Sequence, residues 1–176
     1  YMTIASPIDL SGMASLESLR FTKCSFSTAN LAGLSNLESL SVGYGGDIDF
    51  LNMGDLVNLK TISLYETHIS ALDLTNCSSL KTFSAQETDL DTLILNGLTN
   101  LESFKLRSNN GNLTHLDLSD LTSLTYFEAS NTHLTSIAFE QNTLLEEILF
   151  TENQFINNLD FSSLTNLTKL NCYDNQ

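Results

Sequence analysis

The most regular feature of this chain is a spaced set of apolar residues that recurs eight times. Each occurrence places a second apolar residue three positions after the first and a third one two positions later, as in Leu101, Phe104 and Leu106. Alternation of this kind is the signal of a β-strand with one buried face. The first residues of the occurrences lie 21 to 23 positions apart, at Leu16, Leu37, Leu59, Leu80, Leu101, Leu124, Leu145 and Leu167.

A second, shorter apolar pair follows the first motif in most units. It occurs at Leu72 and Leu74, Leu93 and Leu95, Leu116 and Leu118, Ile137 and Phe139, and Leu159 and Phe161. Only short polar turns join the two halves, and these are too short for a stable α-helix. Equivalent segments of neighbouring units stack in such repeats. The pattern therefore predicts a mainly β solenoid, with a parallel sheet on one face and short turns with little helix on the other.

These motifs resemble the leucine-rich repeat family, whose unit reads LxxLxLxxN/CxL. The best copies are LESFKLRSN at residues 101–109 and LTKLNCYDN at residues 167–175. The short unit with an LDL second half is similar to a bacterial subclass found in cell-surface and secreted proteins. The resemblance implies one repeat domain over residues 1–176, with about eight units. Because no polar capping segment follows the last unit, we expect the chain to be a fragment of a longer protein.

The chain departs from the family at the asparagine that closes each strand. In the family, this side-chain amide bonds the backbone of the following turn. Asparagine is kept at Asn109, Asn153 and Asn175, and other residues stand at Cys24, Gly45, Thr67, Thr88 and Thr132. A threonine hydroxyl can partly replace the amide. Gly45 cannot, so we expect a looser turn there.

Charge is distributed unevenly between the two predicted faces. The chain has seven Lys and Arg residues against 21 Asp and Glu, and a net charge of −14. All the basic residues fall at outward positions of the first motif or directly after it, whereas the turns and the second motif carry acids and no base. Such a charge disfavours nucleic acid and anionic lipid as partners, and no apolar run is long enough to enter a membrane. The mixed-sign sheet face is the predicted binding surface.

Seven residues are candidates for contact with a partner on that sheet face. Tyrosine is a common interface anchor, and Tyr44 and Tyr65 have nearly the same phase in successive units, so they should be neighbours. Rows of serine and threonine on this face could form a polar groove for a peptide or glycan, or could simply keep a strand soluble. Outward tyrosines could likewise reflect only β-propensity. The predicted partner-binding residues are Tyr44, Tyr65, Tyr126, Tyr173, Arg20, Lys105 and Arg107.

Other chemistry is not indicated by the sequence. It contains no phosphate loop, nucleophile elbow or metalloprotease motif, so we predict no enzymatic activity, cofactor or metal. Cys77 and Cys172 are expected in the core, and no disulfide is expected. Recurrent aspartates of the second motif are expected to bond the backbone of their own turns. A calcium ladder of these aspartates, or a calcium site in the loop at residues 45–49, is the alternative.

The family resemblance implies a protein-binding module of a bacterial surface or secreted protein, with a role in adhesion. Its partner would be a protein, or a peptide or glycan, bound on the sheet face, with no nucleic acid and no membrane insertion. The alternative is a structural spacer or the targeting arm of a larger multidomain protein, including an enzyme. The expected location rests on the resemblance alone, because the chain contains no recognisable export signal.

Overall fold

The fold was obtained as a computed structural model that describes residues 2–3, 8–46, 48–154 and 159–175. Within these ranges the chain forms strands, turns and bends, and the secondary structure contains no helix. The described residues accordingly include no helix long and apolar enough to span a membrane. Strands are numbered β1 to β15 in chain order.

Eight strands, one from each predicted unit, form a parallel sheet that we call the front sheet. Neighbours in the sheet are successive units, and their residues pair in step from one strand to the next. The strands are β3 (Ser18–Thr22), β6 (Ser39–Gly46), β8 (Thr61–Thr67), β10 (Thr82–Thr88), β12 (Ser103–Arg107), β13 (Tyr126–Ser130), β14 (Glu147–Leu149) and β15 (Lys169–Asn171).

Five shorter strands form a second parallel sheet, which we call the back sheet. They come from the second motif and from equivalent positions in the first units. These strands are β2 (Ile8–Asp9), β5 (Thr28–Asn30), β7 (Phe50–Asn52), β9 (Ala71–Asp73) and β11 (Thr92–Ile94). A separate parallel pair joins β1 (Met2–Thr3) to β4 (Cys24–Ser25).

The inward side chains of both sheets share one hydrophobic core. Leucines at the first position of the units are almost completely buried from Leu37 to Leu145. Aromatic rings stack from one unit to the next, with ring centroids 5.2 Å apart between Phe83 and Phe104 and 5.4 Å apart between Phe104 and Phe127. A repeat unit cannot bury its own apolar face, so each rung of the stack depends on its neighbours.

The predicted architecture is confirmed: the chain is mainly β, with parallel sheets stacked as a solenoid. The aspartates of the second motif bond their own turns, as expected. The backbone N–H of Ser11 donates to Asp9, that of Ser119 to Asp117 and that of Ser162 to Asp160, at 2.8 to 2.9 Å. Asn52 makes the same bond to the N–H of Gly54.

The prediction for Cys172 is wrong. Cys77 is fully buried, and burial raises the pKa of its thiol to about 11. Cys172, however, is exposed, because β15 is the edge strand of the front sheet and all three of its residues are exposed. The three cysteines, Cys24 included, are free thiols. Position 47 of the candidate calcium loop lies outside the described residues.

Candidate binding surface on the front sheet

The register of the front sheet places its outward side chains in rows that cross the strands. One row runs from Arg20 through Ser41, Ser63 and Ser84 to Lys105. The adjacent row contains Thr22, Gly43, Tyr65, Gln86 and Arg107. Because both rows lie on one exposed face, residues about 20 positions apart in sequence are neighbours in space.

These two rows enclose a depression of about 310 Å³ over β3, β6, β8 and β10. We call it the front groove. Small serines form its base, and larger side chains stand around them. Its principal lining residues are Arg20, Ser41, Tyr44, Ser63, Tyr65 and Gln86.

The wall of the front groove is a pair of tyrosines. The rings of Tyr44 and Tyr65 lie 5.2 Å apart between centroids at an interplanar angle of 57°, so the prediction that they are neighbours is confirmed. Tyr44 is 53% exposed and has a left-handed backbone with φ of 67°. The pairing of β6 with β8 shifts register between Gly43 and Gly46, and this bulge lets Tyr44 turn onto the face beside Tyr65.

Gly43 allows the two strands to approach at this point. A Cβ atom built on Gly43 would lie 2.7 Å from the carbonyl oxygen of Tyr65, which is closer than real contacts permit. The other described members of its row carry side chains. The absence of a side chain here opens the groove between Thr22 and Tyr65, and any substitution of Gly43 would displace the backbone that carries the tyrosine pair.

The groove combines neutral hydroxyls with one cation. A hydrogen bond to the Glu66 carboxylate raises the pKa of Tyr65 to about 12, so its phenol is neutral at physiological pH. Within the described part of the chain, no acid forms an ion pair with Arg20. The front groove therefore offers hydroxyl donors, aromatic faces and an unneutralised guanidinium.

A second cluster occupies the next two strands, β12 and β13. Arg107 bonds Glu128 through two nitrogens, of which Nη2 lies 2.7 Å from Oε2. The hydroxyl of Tyr126 donates to the same carboxylate at 2.7 Å. The ammonium of Lys105 lies 4.9 Å from the centroid of the Tyr126 ring, in cation–π contact.

Glu128 is the centre of this cluster although it occupies an outward position. Its side chain is only 4% exposed, because Arg107 and Tyr126 cover it. Burial and the hydrogen bond to Glu128 together raise the pKa of Tyr126 to about 12, and the same carboxylate raises the pKa of Arg107. The charge of Arg107 is thus largely neutralised within the protein.

The predicted contact residues fall into three places. Arg20, Tyr44 and Tyr65 meet in the front groove, and Lys105, Arg107 and Tyr126 meet in the second cluster. Tyr173 is 58% exposed and stands in the turn after β15, at the far edge of the sheet. The structure therefore brings six of the seven candidates onto adjoining parts of one surface.

Sequence reasoning did not single out Gln86, Gly43 or Glu128. Gln86 has the same position in its unit as Tyr65 and Arg107, so aligned units could have identified it. The same alignment would have shown that Gly43 provides no side chain at this position. No comparable signal exists for Glu128, because its burial depends on how two side chains from adjacent strands fold over it.

The described ranges contain no group of three or more His, Cys, Asp or Glu side chains placed to hold a metal ion. The lining of the front groove within those ranges includes neither histidine nor cysteine.

Comparison with known proteins agrees with this architecture. No family model matches the chain, and no curated protein is significantly similar to it in sequence. Among solved structures, the functional domain of InlJ from Listeria monocytogenes, described as including a cysteine ladder, is similar with a TM-score of 0.66 and 20% identity. The match covers 97% of this chain and 47% of that one.

An internalin of the same bacterium, InlF, is similar with a TM-score of 0.65 and 22% identity, over 95% of this chain and 57% of its own. The chain thus spans about half the length of these two structures. Identity at this level shows the fold alone. The fold is the leucine-rich repeat solenoid, and the resemblance found in the repeat motifs is confirmed at that level.

Proposed function

We propose that this chain is a protein-binding module that holds a peptide segment of its partner in the front groove. The observation that carries the proposal is the contact between the tilted rings of Tyr44 and Tyr65 beside a base of small serines. Half-exposed aromatic side chains supply large contact area with little loss of conformational entropy, and they dominate many interfaces. The serine base leaves room for a main chain to lie close to the sheet.

The second cluster would extend this interface. Because Glu128 neutralises Arg107, the positive charge offered to a partner comes chiefly from Arg20 and Lys105. Tyr126 is held by its hydrogen bond to Glu128 and would present a fixed ring edge. A bound segment would therefore meet tyrosines at two places and carry an acid near Arg20. Tyr173 would touch only a partner long enough to reach the sheet edge.

The proposal assigns binding and no enzymatic activity to this domain. It places the parent protein at a bacterial surface or outside the cell, with a role in adhesion. The support for this location is the likeness to an internalin and to InlJ, both from Listeria monocytogenes, together with the short repeat unit. A spacer or the targeting arm of a larger protein, including an enzyme, is the competing role.

The test is a selection of random linear peptides displayed on phage against the immobilised domain. Peptides that survive are measured by isothermal titration calorimetry against the wild-type domain and against Tyr44→Ser/Tyr65→Ser. We expect the dissociation constant to rise at least tenfold, since loss of about 1.4 kcal/mol has that effect and two aromatic anchors are removed. Arg20→Gln should weaken the binding of peptides that contain an acidic residue.

The matched control is Tyr173→Ser, which removes an exposed tyrosine outside the front groove. It should leave the affinity unchanged, and circular dichroism should show that all variants remain folded. Equal affinity of the double variant and the wild type would contradict the groove assignment. Failure to select any peptide on the front sheet would favour the spacer role.

A further inference from the structure

Another depression lies on the back sheet, away from the candidate binding surface. It has a volume of about 340 Å³ and spans β7, β9 and β11. We call it the back groove. Its lining includes Phe50, Asp55, Ala71, Asp73, Thr92 and Ile94.

The shape of the back groove follows from the register of three strands. Phe50 pairs with Ala71, and Ala71 pairs with Thr92, so a small side chain lies between two larger ones. Asp73 pairs with Ile94 at the other end of the same strands. Strands in a sheet are about 4.8 Å apart. The walls on β7 and β11 are therefore about 10 Å apart, which is wide enough for one long side chain lying along β9.

Two large apolar side chains line the back groove, one on each outer strand and at opposite ends, where the rest of the sheet is polar. Phe50 is 48% exposed and Ile94 is 37% exposed. Equivalent positions in other back strands hold Thr28 and Asn30, which are polar. Neither large apolar residue is part of the buried core. The exposed apolar area of both residues remains in contact with water, and a ligand that covered it would gain hydrophobic binding energy.

The end of the back groove beside Ile94 is anionic, and none of the ion pairs among the described residues involves Asp73 or Asp55. Asp73 accepts hydrogen bonds from the backbone N–H of Thr75 at 3.0 Å and from its hydroxyl at 2.6 Å, and these bonds lower the pKa of its carboxyl. Asp55 is exposed at the same end of the groove. None of the seven basic residues of the chain belongs to the back strands or their turns.

We propose that the back groove binds the side chain of a lysine or arginine presented by a second protein or peptide. The alkyl stem packs between Phe50 and Ile94 above Ala71, and the cationic head reaches Asp73 and Asp55. Long basic side chains have this division into an apolar stem and a charged tip. The charge of the back face, with its acids and no base, selects a cation over an anion or a neutral apolar chain.

The test uses the blocked tripeptide acetyl-Ala-Lys-Ala-amide and its Nε-acetyl-lysine counterpart. Each is titrated into ¹⁵N-labelled protein, and amide chemical shifts are followed. We expect saturable shifts confined to β7, β9 and β11 for the lysine peptide, with a dissociation constant of about 1 mM, as suits so small a contact. The acetylated peptide has no charge and should bind at least fivefold more weakly.

Two variants distinguish binding in the back groove from nonspecific attraction to the negative charge of the back face. Phe50→Ser removes the apolar wall, and Asp73→Asn removes one charge while keeping an oxygen that can accept the Thr75 bonds. Each should raise the dissociation constant about fivefold. The matched control is Asp160→Asn, which makes the same change in net charge at an equivalent aspartate that bonds Ser162, and it should leave binding unchanged.

Three results would overturn the proposal. They are shifts spread along the aspartates of all units, an equal loss of affinity in Asp73→Asn and Asp160→Asn, and no binding of the lysine peptide at concentrations of about 10 mM. A lysine peptide whose shifts map to the front groove would also overturn it. The readout is independent of any peptide selected for the front sheet.

Discussion

At the scale of single residues, each repeat unit contains one left-handed residue at its eighth position. These residues have φ between 48° and 67°, and they are Lys23, Tyr44, Glu66, Glu87, Ser108, Asn131, Glu152 and Asp174. No glycine occupies this position, although a side chain there costs about 1 kcal/mol. The sequence could not reveal this conformation because the residue types share no turn signature. The same conformation turns Tyr44 onto the front groove.

Replacing such a residue by glycine should stabilise the solenoid. Glu87→Gly relieves the left-handed strain of about 1–2 kcal/mol but adds entropy to the unfolded chain. We expect the free energy of unfolding to rise by about 0.5 kcal/mol. The measurement is urea denaturation followed by circular dichroism.

Glu87→Ala is the control for this substitution because it removes the same carboxylate and keeps a Cβ atom. It should be less stable than Glu87→Gly. If the alanine variant proves as stable as the glycine variant, the left-handed conformation is not a source of strain at this position.

At the scale of strands and turns, the apolar pattern predicted all eight front strands because the period of the repeat defines which side chains face inward. The polar residues that close the strands were only partly predictable. Asn109 bonds both backbone groups of Leu90, and Asn153 bonds the carbonyls of Ala129 and Thr151. The sequence did not show that threonine of one unit donates to asparagine of the next.

Two such bonds join successive units. The hydroxyl of Thr88 donates to Asn109 Oδ1 at 3.1 Å, and the hydroxyl of Thr132 donates to Asn153 Oδ1 at 2.6 Å. Thr67 faces another threonine, Thr88, in the next strand. Its hydroxyl is buried without a hydrogen-bond partner. A buried polar group without a partner is destabilising.

Replacing Thr67 or Thr132 by valine should change the free energy of unfolding in opposite directions. Thr67→Val removes an unsatisfied hydroxyl and should raise the free energy of unfolding by about 1 kcal/mol. Thr132→Val breaks a buried hydrogen bond and should lower it by about 1 kcal/mol. Guanidinium denaturation of both variants gives the two values. A Thr132→Val variant at least as stable as the wild type would show that the hydrogen bond between threonine and asparagine does not contribute to stability.

At the scale of the whole molecule, the two faces differ in charge as the sequence predicted, since phase within the repeat decides which residues face outward. The two grooves were not predictable to the same extent. Each depends on side chains from three or four strands, and on a small residue at one point, Gly43 on the front sheet and Ala71 on the back. Cys172 was misplaced because its position in the repeat does not reveal that its strand lies at a sheet edge.

The repeated aspartate turns should make the fold sensitive to acid. Hydrogen bonds from the residue two positions on lower the pKa of each of these carboxyls, at Asp9, Asp73, Asp117 and Asp160. A depressed pKa in the folded state gives stability that is present above the unfolded pKa, near pH 4, and is lost as the pH falls further. The effect is modest because all four are exposed.

The measurement is urea denaturation at pH values from about 6 to 3. Stability should decline below about pH 4, and the decline should be shallower in Asp73→Asn/Asp117→Asn, because the amide oxygen accepts the same bonds without titrating. Glu140→Gln, on the same acidic side of the repeat, is the control. A decline as steep in the double variant as in the wild type would show that these turns do not set the acid response.

We propose the front groove as the surface by which this module holds its partner. The most direct measurement is the amide chemical-shift footprint of a selected peptide on the ¹⁵N-labelled wild-type domain. We expect the largest shifts in β3, β6, β8 and β10 around Tyr44 and Tyr65, and we expect these shifts to be lost in Tyr44→Ser/Tyr65→Ser. A footprint on the back sheet or on the turns, unchanged in that variant, would contradict it.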